Sequence, residues 1–265
     1  MGAIQSFAIA LLLLTPLALQ CGPASAEDRR VHDLLTRGDG FRERGSTVEA
    51  HQCYMQAVSL EPKSFLTHRS LASSWAAQKK YSEALAEINL AIGLNPNYHK
   101  LLVDRGLYYV GLGRQESAQA DFRKAVATPD CGHTVYKYLE DYDKSHGRLD
   151  QAIAISDLHM KREPNEDSCR ERADLLSLKK DYAGARQALA KAITIAPFNY
   201  LNYELRGDAS LAADLPKEAV ADYTKALSFE PMFPCEIYEK RAQAYAKLGK
   251  KDLEQKDIKS SQIKD

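Results

Sequence analysis

The chain repeats itself every 34 residues, and that period constrains its fold more than any other feature. In blocks counted from Val31, the same residue types fall into the same columns. The eighth place holds Gly38, Ala72, Gly106, Ala173, Gly207 and Ala242, and the twentieth holds Ala50, Ala84, Ala118, Ala152, Ala185 and Ala219. Larger side chains (Tyr54, Ile88, Phe122, Leu189, Tyr223) fill the twenty-fourth place, and alanine returns at the twenty-seventh as Ala57, Ala91, Ala125, Ala192 and Ala226. The blocks run approximately 31–64, 65–98, 99–132, 133–165, 166–199, 200–233 and 235–265, and the first six end near Pro62, Pro96, Pro129, Pro164, Pro197 and Pro231. Apolar residues at helical spacing on either side of a turn make each block a helix, turn and helix. The turn is marked by Gly45, Lys79-Lys80, Gly113, Gly147, Asp181 and Lys250. Small residues at the eighth and twentieth places let the two helices approach, the bulky twenty-fourth fills the space beside them, and the proline stops the second helix. No block can bury its apolar face alone, so neighbours must stack into an all-α solenoid.

These columns resemble the tetratricopeptide repeat (TPR), over about 31–265, as six full units and a degenerate, capping seventh. The resemblance implies a right-handed α-solenoid of antiparallel helix pairs, with first helices lining a concave groove. It also implies a role in binding an extended peptide or a partner helix there. Chaperone-binding members of the family hold a C-terminal carboxylate with Lys and Asn at set groove places. Here no Asn stands at an inward place, and blocks two to four offer Arg69, Ser73, Asp104, Thr134 and Tyr138, so Hsp70 or Hsp90 tails are not the expected ligand. Block four is one residue short and carries Glu140, Asp143, Ser156 and His159 where the pattern wants Gly, an aromatic, an apolar residue and Ala. A local irregularity is expected there, with Tyr136, Tyr138 and Tyr142 repacking around it. In block seven Glu254 and Ser261 replace the second-helix alanines, as a solvated cap requires, and Lys256 to Lys264 reads as a fraying tail.

The implied groove places are the second, fifth, sixth, ninth, twelfth and thirteenth of each block. In blocks five to seven they hold Asp167, Glu171, Asp174, Glu204, Asp208, Glu236 and Glu239 against Arg170, Lys240 and Lys247, a net of −4. In blocks one to four, Asp39, Glu43, Asp104 and Asp141 face Arg42, Arg69, Lys100, Lys137 and Lys144, a net of +1. A concave wall of one sign focuses its field. The seven carboxylates are therefore the expected ligand site, for a protein or peptide segment bearing Lys or Arg. The alternative is an ordinary solvated helix face.

The chain as a whole is neutral, with 36 basic and 36 acidic side chains, all of them beyond residue 26. Nucleic-acid binding needs clustered basic excess, which is missing here. The uncharged start contains an apolar run from Phe7 to Cys21, then Ala24-Ser25-Ala26 before Glu27-Asp28-Arg29-Arg30. This reads as a signal peptide over 1–26, cleaved on export to the periplasm or outside the cell. Anchoring by an uncleaved segment or a lipidated Cys21 would instead make a membrane-attached assembly factor. Only then is a membrane expected as a partner.

No metal-ligand spacing, nucleophile motif or phosphate loop occurs, and no cofactor is expected. The chain reads as a non-catalytic scaffold, with an accessory or substrate-binding subunit of an enzyme as the other reading. Two Arg-Gly-Asp triplets (Arg37-Gly38-Asp39 and Arg206-Gly207-Asp208) fall inside first helices, where the glycine is a packing residue rather than part of an adhesive loop. Buried or loop thiols are expected at Cys53, Cys131, Cys169 and Cys235, since a helical solenoid does not depend on staples; in an oxidising compartment a Cys131–Cys169 bridge is the alternative.

Overall fold

A computed structural model describes residues 26–128 and 131–262. The export segment, Cys21 and Pro129 lie outside these, apart from Ala26. The described residues form fourteen helices in seven consecutive hairpins. These are α1 (Ala26–Glu43) with α2 (Thr47–Leu60), α3 (Phe65–Ala77) with α4 (Tyr81–Leu94), and α5 (Lys100–Gly111) with α6 (Gln115–Ala125). Next come α7 (His133–Ser145) with α8 (Leu149–Arg162), and α9 (Glu166–Leu178) with α10 (Tyr182–Ile195). The last two are α11 (Tyr200–Ala212) with α12 (Pro216–Leu227), and α13 (Cys235–Lys247) with α14 (Lys251–Ser261). Each helix packs on its sequence neighbours, and first helices of adjacent hairpins touch at α1–α3, α3–α5 and α11–α13. This is the α-solenoid that the columns imply.

One backbone device makes every hairpin. The fifteenth place has positive φ in all seven repeats: Gly45, Lys79, Gly113, Gly147, Lys180, Asp214 and Gly249. The next residue's N–H reaches back to the carbonyl five residues earlier, as in Lys80 to Trp75 at 3.0 Å and Arg114 to Tyr109 at 2.9 Å. That bond is the Schellman closure of a helix C-terminus. The reversal falls on Lys180 and Gly249, one residue before the expected marks at Asp181 and Lys250, and on the unmarked Asp214. Asp181 serves instead as the N-cap of α10, its carboxylate accepting from Gly184 N at 2.9 Å.

Within a hairpin the eighth and twenty-fourth places meet. A methyl group added at Gly38, Gly106 or Gly207 would lie 2.5, 2.4 or 2.6 Å from the ring of Tyr54, Phe122 or Tyr223. Where the eighth place is alanine, its partner is aliphatic: Ala72 with Ile88, Ala173 with Leu189, Ala242 with Ile258. Volume is thus conserved across the contact, as a close-packed interior demands.

Repeat four breaks these columns. At its joint with repeat three, the backbones of α6 and α7 approach over a shorter stretch than those of other successive helices, and Phe122, Val135, Tyr136 and Leu139 fill the space between them as one buried core. Glu140, Asp143, Ser156 and His159 are all buried. Asp143 accepts from Arg123 at 2.5 Å and faces Arg148 Nε at 3.1 Å, and Tyr136 stacks on the His159 ring at 4.5 Å. Arg162 bridges this joint by donating to the Val126 and Thr128 carbonyls at 2.6 and 3.0 Å. At the other end of the chain, the expected tail from Lys256 is instead helical as far as Ser261. The buried Asp257 anchors this last helix beneath Arg241.

Candidate functional site

The inward places open into clefts between successive first helices. Between α9 and α11 a cleft of about 290 Å³ is lined by Ala173, Leu189, Leu205 and Ala209, with Asp174, Asp208, Arg170 and Tyr182 around them. Beside it, a cleft of about 360 Å³ takes Lys137 and Lys144 from α7, Glu171 and Asp174 from α9, and Leu201 and Leu205 from α11. A separate cleft of about 390 Å³ lies in the N-terminal half, where Arg69 Nε donates to Asp104 at 2.6 Å.

The seven carboxylates sit on α9, α11 and α13, and six of them meet a cation of the chain itself. Asp167 takes Arg170 from its own helix. Glu171 accepts from Lys137 at 3.0 Å, and Asp174 from Lys144, so repeat four reaches across the joint onto the wall of repeat five. Lys240 of α13 donates to Glu204 at 2.6 Å and Asp208 at 3.0 Å, and its Nζ lies 3.3 Å from Glu236. Burial alone would lower the Lys240 pKa, but the bonds and charges of Glu204 and Asp208 outweigh it and hold the ammonium well above its ordinary value. Tyr223 donates to the other oxygen of Asp208 at 2.8 Å, and Glu239 is exposed. Counting the two halves of the groove separately hides Lys137 and Lys144, which belong to one half and act on the other. The Asp174 side chain remains 57% exposed and that of Asp208 35%, so both stay open to a ligand.

A second set of ion pairs carries structure. Arg105, Arg206 and Arg241, all at the seventh place, grip Asp121, Asp222 and Asp257 at the twenty-third through two bonds each, at 2.6 to 2.9 Å. The recurrence of Arg and Asp sixteen residues apart is the sequence signal for them. Both Arg-Gly-Asp triplets lie in α1 and α11. Each presses its glycine on the tyrosine of the second helix while its Asp accepts that tyrosine's hydroxyl at 2.8 Å. Cys131 and Cys169 are buried thiols and form no bridge; burial pushes both of their pKa values up. No helix among the described residues is long and apolar enough to cross a membrane.

Family models described as tetratricopeptide repeat match residues 35–99, 99–128 and 167–199. RNA polymerase II-associated protein 3 of Xenopus tropicalis is 31% identical over 34% of this chain and 14% of its own length. DnaJ homolog subfamily C member 3 of Mus musculus is 20% identical over 98% of this chain and 47% of its own. The chain therefore spans less than half of either relative. The crystal structure of the C-terminal part of a TPR repeat-containing protein from Cytophaga hutchinsonii shares the fold, with a TM-score of 0.69 at 18% identity over 86% of this chain and 95% of that one. Columns, hairpins, αL turns and family matches agree: the chain belongs to the tetratricopeptide-repeat proteins.

Proposed function

We propose that the protein is a non-catalytic scaffold that takes an extended peptide or partner helix bearing Lys or Arg in the C-terminal half of its groove. The observation that carries this reading is the cleft between α9 and α11. Its apolar lining of Leu189, Leu205, Ala173 and Ala209 stands beside two half-exposed carboxylates at the same place of successive repeats. Apolar anchors with a few placed charges are what a peptide-binding surface needs.

The cation of such a ligand competes with Lys144 for Asp174 and with Lys240 for Asp208. A peptide array with basic, acidic and scrambled sequences tests the reading on the purified chain. Basic peptides should bind, with Asp174→Asn/Asp208→Asn weakening them about five- to thirtyfold at low salt, since partly exposed pairs are worth about 0.5–1 kcal/mol each. Lys144→Ala should tighten the same peptides. Unchanged affinity in both variants would remove the acidic wall as a docking surface. Preference for acidic C-termini would move the site to Arg69 in the N-terminal cleft.

The scaffold works outside the cytoplasm in this reading, supported by the apolar run and Ala24-Ser25-Ala26. N-terminal sequencing of protein from its native host should give Glu27 as the first residue. A retained Met1 or a lipidated Cys21 would make it a membrane-anchored protein instead.

A further inference from the structure

Repeat four places polar side chains at interior positions that its neighbours fill with small or apolar ones. His159 stands in the column of Ala57, Ala91, Ala125, Ala192 and Ala226, and Glu140 in the column of packing glycines and alanines. Burying such groups without partners is costly, yet several atoms here have none. Glu140 Oε1, His159 Nδ1 and Glu171 Oε2 are buried and make no hydrogen bond. They face one another: His159 Nδ1 lies 3.7 Å from Glu140 Oε1 and 3.9 Å from Glu171 Oε2. The His159 side chain is 0% exposed and that of Glu140 4%. On the other edge of the ring, His159 Nε2 lies 3.1 Å from His133 Nδ1. Two carboxylates and two imidazoles thus converge from three helices, with one cation, Lys137, bound to the far oxygen of Glu171.

We propose that His133, His159 and Glu171 bind a divalent transition-metal ion at the joint between repeats four and five, with Glu140 as the carboxylate that orients His159. One ligating atom from each of the three lies within 4.8 Å of the others. The 3.1 Å between the two ring nitrogens is close to the edge of about 3.3 Å expected for a tetrahedron with bonds of 2.0–2.1 Å. Nitrogen and oxygen donors in this combination suit Zn²⁺ rather than Ca²⁺ or Mg²⁺, which prefer all-oxygen shells. Coordination through His159 Nε2 leaves its Nδ1–H to donate to Glu140, and a carboxylate behind a ligating histidine fixes tautomer and ring orientation. Glu171 supplies the third ligand through one carboxylate oxygen, and a small closure of the 3.7 Å gap lets His159 Nδ1 and Glu140 Oε1 answer each other. His133 and Glu171 are half-buried and leave a path from solvent, while His159 supplies the enclosed side.

The test uses the full chain stripped of metal by chelation, titrated with Zn²⁺ by calorimetry and with Co²⁺ by absorption. One ion should bind per chain, the melting temperature should rise, and chelator should reverse the rise. Bound Co²⁺ should show tetrahedral visible bands without the thiolate charge-transfer band that a cysteine site would give. His159→Ala restores the residue that other repeats carry at this place, so it should keep its helical circular dichroism and lose at least a hundredfold in Zn²⁺ affinity. Glu140→Gln should lose about tenfold, as outer-shell changes do. His133→Ala, at the half-buried first place of α7, provides a second ligand variant if His159→Ala fails to fold. Absence of one-to-one binding by the wild-type chain, or binding that survives His133→Ala and Glu171→Gln, overturns the site; the cluster is then a histidine shared by two carboxylates.

Discussion

Gly106→Ala is expected to destabilise the protein by about 1–3 kcal/mol, and Phe122→Ile in the same chain to recover part of that loss. The added methyl would sit 2.4 Å from Phe122 Cε1. The ring cannot yield easily: Phe122 is 0% exposed, lies in one core with Ala118 and Ala125, and meets the Tyr138 ring edge-on at 4.8 Å. Phe122→Ile alone leaves unfilled volume beside Gly106 and costs about 1–3 kcal/mol by the same logic of close packing. Together the two changes reproduce the pairing that repeats two, five and seven already use, alanine against an aliphatic side chain. A cycle of the four proteins by urea denaturation should show a favourable coupling of about 1 kcal/mol or more. Gly40, in the same helix as Gly38 but with only the Arg44 guanidinium 3.9 Å away, is the control. Gly40→Ala there should stabilise the chain by about 0.5–1 kcal/mol, through helix propensity alone. Strict additivity of the Gly106 and Phe122 effects would refute the contact between the eighth and twenty-fourth places.

Asp257→Ala should release the last helix while the rest of the solenoid stays folded. Asp257 is the one fully buried residue of α14. It accepts from Arg241 Nε at 2.7 Å and Nη2 at 2.8 Å, and the guanidinium lies near the rings of Tyr238 and Tyr245. Truncating one partner of a buried pair costs about 3–5 kcal/mol, because the other charge is left covered and unanswered. A polar helix of eleven residues cannot make up that loss from its own backbone. Stability in a solenoid is a sum over neighbours, so the damage should stop at α13. Hydrogen exchange should show α14 amides losing protection, with α10 and α12 unchanged. Equal protection of α14 in the variant and the parent chain would mean that its apolar contacts hold it and that the ion pair is incidental.

The fold was legible because packing repeats at fixed places: six glycines and alanines at the eighth place and five large side chains at the twenty-fourth determine how each hairpin closes. The turn was less legible, since Lys79, Lys180 and Asp214 adopt positive φ with no glycine to announce it. The groove carboxylates could be placed from their register, but their partners could not. Lys144 and Asp174 are thirty residues apart on different repeats, and a charge count taken block by block separates them. His159 and Glu171 stood out singly, but their grouping with His133 did not, for a related reason. Metal motifs are found when ligands share one helix or loop, whereas these are 26 and 12 residues apart on three helices. The signal that pointed to the place was negative, His159 and Glu140 in columns reserved for small residues, and it gave an irregularity rather than a site.

The bonds across the groove also bear on the mechanics of the solenoid. Arg69 to Asp104, Lys137 to Glu171, Lys240 to Glu204, and Lys247 to Asp214 each span one joint between repeats, while close-packed alanine, glycine and aromatic contacts, with buried Arg–Asp pairs in repeats three, six and seven, hold the hairpins together. The elasticity of the superhelix therefore has two components in series. The hairpins, whose Arg–Asp pairs are largely buried, are the less salt-sensitive segments; the joints are springs whose stiffness is partly Coulombic and softens as the Debye length shortens. Pitch and curvature then become properties of the surrounding salt as well as of the sequence, and a charged ligand that takes over one of these bonds changes the tension at a single joint.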